Sequence, residues 1–143
     1  MLHSRFAVGV FSVAGACILG ATGVSHAQSD ESGKPSLSLR ATPPIGFTPL
    51  RVRLVVEVRG GADDYADFYC PTIEWDWDDG TVSESGVDCD PYEAGKSQIR
   101  RQFSTTHIFR QGGRYQVSFR LKQKDKVVGL ARAGLQVQQS GER

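Results

Sequence analysis

The chain has 143 residues, 39% hydrophobic and 23% charged, with 17 Lys and Arg against 16 Asp and Glu. A formal net charge of +1 argues against a protein that binds nucleic acid through bulk positive charge. The length suits one domain with a real core.

Phe6 to Gly23 is apolar and small, after a polar start with His3 and Arg5. Ser25-His26-Ala27 then places small residues at the two positions a signal peptidase reads. Residues 1–27 therefore read as a secretory signal peptide, too short and weakly flanked for a stable membrane anchor. A lipoprotein reading rests on Cys17 after Ala14-Gly15-Ala16, but the large aliphatic residue usual three places before such a cysteine is missing. The mature chain is expected to be secreted or periplasmic, with no membrane span. Without Arg5 it carries 16 basic and 16 acidic side chains. Residues 28–35 read as a polar, disordered leader and 139–143 as a tail, around a domain at 36–138.

Strand signals recur through that domain. Leu37, Leu39 and Ala41 alternate with polar residues until Pro43-Pro44. Leu50, Val52, Leu54, Val56 and Val58 form one apolar face, with Arg51, Arg53, Glu57 and Arg59 opposite. An acidic loop follows Gly60-Gly61. Ile73, Trp75 and Trp77 give the inward face of the next strand, and Thr81 to Ser85 can pair back. Gly86 to Gly95 reads as a polar loop. Ile99, Phe103 and Phe109 share a parity, and Gln111-Gly112-Gly113 breaks the chain. Tyr115, Val117, Phe119 and Leu121 make the cleanest strand. After Lys124-Asp125-Lys126, the residues Val127, Gly129, Ala131, Ala133, Leu135 and Val137 share a face. No segment has a helical period. About seven short strands separated by turn signals imply an all-β, two-sheet antiparallel β-sandwich.

Asp79-Gly80 is expected to be a two-residue hairpin turn with positive φ. Asp78 then faces Thr81, and Cys70 faces Cys89. Those two cysteines are the pair left after processing, so a cross-strand disulfide is expected. It would stabilise the fold by roughly 3 kcal/mol in the chain-entropy model.

The run Trp75-Asp76-Trp77-Asp78-Asp79-Gly80-Thr81 and the later His107-Ile108-Phe109-Arg110-Gln111-Gly112-Gly113-Arg114-Tyr115 resemble the two signature motifs of PKD domains, the immunoglobulin-like modules named from polycystic kidney disease protein. Pro44 to Val52 is similar to that family's approach to its second strand, and the three motifs fall in order between Ser36 and Gln138. Trp77 stands where the family has Phe, Asp78 where it has Gly, and Gly112 where it has Pro. Asp78 is expected to take an ordinary strand conformation. The resemblance implies a non-catalytic extracellular interaction or spacer module. Trp75, Trp77, Gly80, His107 and Tyr115 are its structural positions here.

The charges are unevenly placed. Glu57 to Glu93 holds twelve acids and one base, and Ala94 to Arg143 holds eleven bases and two acids. Either neighbouring strands and loops neutralise each other, or one end of the domain is acidic and takes a cation or a basic partner. Asp63, Asp64, Asp67, Asp78 and Asp79 are candidate calcium ligands, since calcium wants several loop carboxylates. Some PKD-like domains of secreted collagenases bind calcium, but no EF-hand spacing is present here. The alternative is that Asp79 caps its turn, Asp76 meets basic neighbours and the others solvate loops.

His107 is the single histidine after residue 27, without the companions that a triad or zinc site needs. It reads as structural, with its ring bonded to neighbouring loop backbone. Trp75 and Trp77 could stack on sugar, but their parity with Ile73 sends them to the core. Tyr65, Phe68, Tyr69 and Tyr92 are the candidate contact residues, in loops among the acids. Arg40, Arg51, Arg53 and Arg100 share outward parity and form a candidate basic sheet face, read first as protection against unwanted strand pairing. The expected function is binding of an extracellular or cell-envelope protein or glycan through the end loops. The alternatives are a calcium-stabilised spacer and, behind it, a small secreted hydrolase.

Overall fold

A computed structural model describes residues 33–141. The signal-peptide and Cys17 readings, residues 28–32 of the leader and the last two residues lie outside them. Among the described residues, no helix is long and apolar enough to cross a membrane.

Among the described residues, the expected alternation becomes eight strands in two sheets. The strands are β1 (Ser36–Thr42), β2 (Ile45–Phe47), β3 (Leu50–Arg59), β4 (Thr72–Asp76), β5 (Val82–Ser85), β6 (Gln102–Phe109), β7 (Gly113–Gln123) and β8 (Lys126–Gln138). A three-stranded sheet has the order β1-β3-β6, and a five-stranded sheet the order β2-β8-β7-β4-β5. This is an immunoglobulin-like sandwich, in which β1, β3 and β6 stand for A, B and E, and β4, β7 and β8 for C, F and G. The added strand β2 runs parallel to β8, pairing Ile45 with Gln136 and Phe47 with Gln138. It lies between two prolines, Pro44 and Pro49, in a segment that carries no strand signal in the sequence.

Both sheets turn their alternating apolar residues inward. Val52, Leu54 and Val56 from β3 are fully buried, as are Val117 and Phe119 from β7. Phe103 of β6 meets Phe119 across the sheets at 5.3 Å, and Trp75 packs edge-on to Phe119 at 4.7 Å. Trp75 and Trp77 are buried and stacked, so neither can form a sugar platform. The hydroxyl of Tyr115, at the start of β7, donates to the carbonyl of Gln111 at 2.8 Å, the tyrosine corner of this fold class.

Three local expectations need correction. The β4–β5 hairpin pairs Asp76 with Val82 and Ile73 with Ser85, one residue out from the expected register. The loop has three residues, Asp78 to Gly80, closed by the Trp77 N–H donating to the Thr81 carbonyl at 3.2 Å. Positive φ falls on Asp78 (60°) and Gly80 (85°) and not on Asp79. Asp78 thus takes the left-handed backbone for which the PKD pattern uses glycine, and not a strand conformation. Its cost is offset because the Asp78 carboxylate accepts the Gln116 N–H at 2.9 Å.

The third correction lies in β8. A bulge opposite Leu121 and Lys122 skips Val128 in the register. The extra residue reverses the parity, so Val128 is buried and Val127 is exposed. At the sandwich margins, Gly33 and Ser140 are also tied down: the Gly33 carbonyl accepts the Ala62 N–H at 2.8 Å, and the Ser140 N–H donates to Thr48 Oγ1 at 3.1 Å.

The charge imbalance along the chain cancels in part in the fold. On the outer face of the larger sheet, Arg120 contacts Glu74 (2.6 Å) and Asp76 (3.5 Å), and Lys122 contacts Glu74 (3.0 Å) and Glu84 (3.1 Å). The Lys122 and Arg120 hydrogen bonds hold the Glu74 carboxyl below its ordinary value. The Glu74 and Glu84 carboxylates hold the Lys122 ammonium above its own.

Candidate functional site: a stapled platform of two loops

Residues 60–71, between β3 and β4, and 86–101, between β5 and β6, form the long loops at one end of the sandwich. Such segments lack a sheet ladder, so their backbone groups need other partners. Here each loop supplies the other. The Ile99 N–H donates to the Asp63 carbonyl at 2.8 Å, and the Gly95 N–H donates to Asp64 Oδ2 at 2.8 Å. Arg101 pairs with Asp63 and donates to the Gly60 carbonyl. The Cys70–Cys89 disulfide crosses between the loops, as expected in pairing. It lies beyond the last hairpin pair, Ile73 with Ser85, and so joins the loops and not paired strands. Gln123 Nε2 reaches in from the end of β7 and donates to the Tyr69 carbonyl at 2.6 Å.

Tyr69 and Tyr92 stand together on this platform, with ring centroids 5.6 Å apart and planes tilted by 58°. The Tyr69 hydroxyl donates to the Asp90 carbonyl (2.9 Å), and the Tyr92 hydroxyl donates to the Asp64 carbonyl (2.5 Å). Both rings are therefore held by hydrogen bonds within the protein. Tyr92 is exposed and Tyr69 half-buried.

The other two candidate contact residues turn inward. Phe68 is only 2% exposed, because the short 3-10 turn Ala66–Phe68 points its ring into the core. Gly129 makes the room: a Cβ there would lie 2.7 Å from Leu37 Cδ1 and 3.2 Å from Phe68 Cζ. Tyr65 stands edge-on to Phe68 at 5.2 Å and packs against the core. The expected four-aromatic patch is a two-tyrosine patch.

The candidate calcium ligands do not converge. Asp63, Asp64 and Asp67 belong to the loop before β4, and Asp78 and Asp79 to the loop after it, so they sit at opposite ends of one strand. Among the described residues, no three His, Cys, Asp or Glu side chains come together to hold a metal ion. Asp63 and Asp64 are committed to the partners above. Asp67, Asp88, Asp90 and Glu93 are exposed around the tyrosines, with Lys96 3.5 Å from Glu93.

At the far end, His107 stacks flat on Trp77, with centroids 4.2 Å apart and planes within 3°. Its Nε2–H donates to Asp79 Oδ2 at 2.7 Å, where loop backbone was the expected partner. Asp79 Oδ1 also accepts the Thr81 N–H and hydroxyl. Burial pushes the Asp79 carboxyl up, but the bonds from Thr81 and His107 outweigh it and hold the group below its ordinary value. Among the described residues, no hydroxyl or thiol is hydrogen-bonded to His107, and the Asp-His pair braces the turn.

No protein-family model and no curated protein matches the chain. Several solved structures are similar. One is the PKD domain of an M14-like peptidase from a Thermoplasmatales archaeon, at 11% identity and a TM-score of 0.49, covering 72% of this chain and 94% of that one. Another is the CARDB domain of a Pyrococcus furiosus protein, solved with two metal ions, at 14% identity and a TM-score of 0.45, covering 73% and 94%. A superoxide reductase from Ignicoccus hospitalis stands at 14% identity and a TM-score of 0.39, covering 75% and 82%. Similarity of this order transfers no function to the chain.

One feature of the platform escaped the sequence reading. A cavity of about 190 Å³ opens beside the disulfide, lined by Cys70, Ile73, Val87, Cys89 and Phe103. Arg100 borders it, with its guanidinium 5.0 Å from the centre of the Phe103 ring. Val87, an aliphatic residue among acids and 72% exposed, was the available signal.

Proposed function

We propose that this protein is a non-catalytic extracytoplasmic module that binds a protein or glycan partner through its stapled loop end. Tyr69 and Tyr92 are the contact aromatics, and Asp88, Asp90 and Glu93 form an acidic rim suited to basic groups on the partner. The observation that supports this most is the pair of tyrosines held by hydrogen bonds on two loops that a disulfide joins. Rings fixed in advance give contact area with little further loss of side-chain freedom. The disulfide accords with an oxidising compartment.

Pull-down from cell-envelope and secreted fractions tests the reading, with Tyr69→Ala/Tyr92→Ala as the comparison. A partner retained by the natural chain and lost by the variant is the expected result. Equal recovery by both, with the variant folded, refutes the proposed surface.

A further inference from the structure

The outer face of the three-stranded sheet carries positive charge that the fold leaves uncompensated. Arg51 and Arg53 project from β3 and Arg40 from β1, all exposed. Among the described residues, none of the three has a carboxylate within ion-pair distance. On the larger sheet, by contrast, Arg120 and Lys122 of β7 have carboxylate partners, while Arg114 at the start of that strand has none among the described residues. Glu57 is the carboxylate on the arginine-bearing face, and Arg59 occupies it.

Edge protection does not explain Arg51 and Arg53. That role belongs to strands with an unpaired side. Strand β3 is central, paired with β1 on one side and β6 on the other. Charges in such a position guard no open edge.

Register sets the arrangement of the cations. Arg51 and Arg53 are two residues apart on one strand, about 7 Å. Arg40 is paired with Val55 and so lies diagonally from Arg53, again about 7–8 Å. Arg53 is flanked in register by Thr42 and Thr106, and Ser104 lies across β3 from Arg40. The face thus alternates guanidinium forks with hydroxyls. A shallow depression of about 360 Å³, lined by Ser38, Arg40, Thr42, Arg53 and Glu57 among others, runs along it.

We propose that this face binds a linear polysaccharide bearing carboxylate groups. A guanidinium matches a carboxylate with two parallel hydrogen bonds, and the neighbouring hydroxyls match sugar hydroxyls. No aromatic residue stands on the outward positions of β1, β3 or β6 to stack a nucleic-acid base. Its apolar members, Val55 and Ile108, are half-buried and offer nothing to insert into a lipid layer. This surface is separate from the tyrosine platform, and its failure would leave that reading intact.

The test is affinity electrophoresis of the purified protein in gels containing polygalacturonate, with neutral dextran as the control. The protein should be retarded by the polyuronate alone, and less so as salt rises. Arg40→Gln/Arg51→Gln/Arg53→Gln should weaken retardation by about tenfold or more, as the loss of three charge-assisted contacts requires. Arg114→Gln/Lys124→Gln/Lys126→Gln removes the same charge elsewhere and should leave it unchanged. Thermal melts confirm that both variants are folded. The proposal is overturned by no retardation of the natural chain, by equal loss in the two variants, or by binding confined to phosphatidylglycerol vesicles.

Discussion

Single residues decide the shape of the β4–β5 turn. Asp79 accepts from Thr81 and His107, and the net effect lowers its affinity for a proton. A carboxyl held below its unfolded value binds protons less well folded than unfolded, so acid favours unfolding. The contribution is complete above the unfolded values, 3.8 for Asp79 and 4.5 for Glu74, and is lost as the pH falls through the lower folded values. Asp79→Asn should therefore cost about 1–2 kcal/mol at neutral pH and flatten the fall in melting temperature between about pH 5 and pH 3. Parallel melting curves for the two proteins would refute the assignment. Asp78 tests backbone strain at the same turn. Asp78→Gly should be about 1 kcal/mol more stable than Asp78→Ala, because only glycine takes a φ of 60° freely; urea titration measures the difference. The sequence marked this turn but misplaced its positive φ. The Asp-Gly pair is a strong hairpin signal, while the Gln116 contact that holds Asp78 lies 38 residues away.

At the scale of elements, alternation made β1, β3, β4 and β7 legible before any coordinates. What it could not reveal were features created by pairing. The bulge in β8 exchanges Val127 and Val128, and no local pattern distinguishes a strand with an extra residue from one without it. Phe68 sits in an acidic loop and reads as surface, yet its ring fills a space that glycine leaves in a strand far along the chain. For the same reason Tyr65 and Phe68 turn inward, away from the surface expected of them, while Tyr69 and Tyr92 lie together on the loops. The disulfide joins loops around an already continuous core. Cys70→Ser/Cys89→Ser should cost about 3 kcal/mol by the entropy of its 19-residue separation. Amide exchange should accelerate at Gly95 and Ile99 while β7 and β8 stay protected. Uniform acceleration across both sheets would show instead that the bond supports the core.

For the whole molecule, the two sheets meet through few large rings. Phe119 touches Trp75 in its own sheet and Phe103 in the other. Phe119→Ala should destabilise the domain by about 3–5 kcal/mol, with both sheets lost in one transition by circular dichroism and tryptophan emission. Separate transitions would mean that the sheets are not one cooperative unit. The parallel pairing of β2 with β8 bears on a different property. The chain leaves the sandwich near β1 at one end and after β8 at the other. Tension applied through those two segments loads the β1–β3 ladder first, and once β1 is released it draws β2 and β8 in opposite directions along their shared axis. The Gln136 N–H to Pro44 carbonyl and Thr48 N–H to Gln138 carbonyl bonds, with the Ser140–Thr48 contacts beside them, would then be loaded together in shear and not opened one after another. A three-residue strand that adds little to the core thereby becomes a second clasp, behind the β1–β3 ladder, against pulling from the two ends.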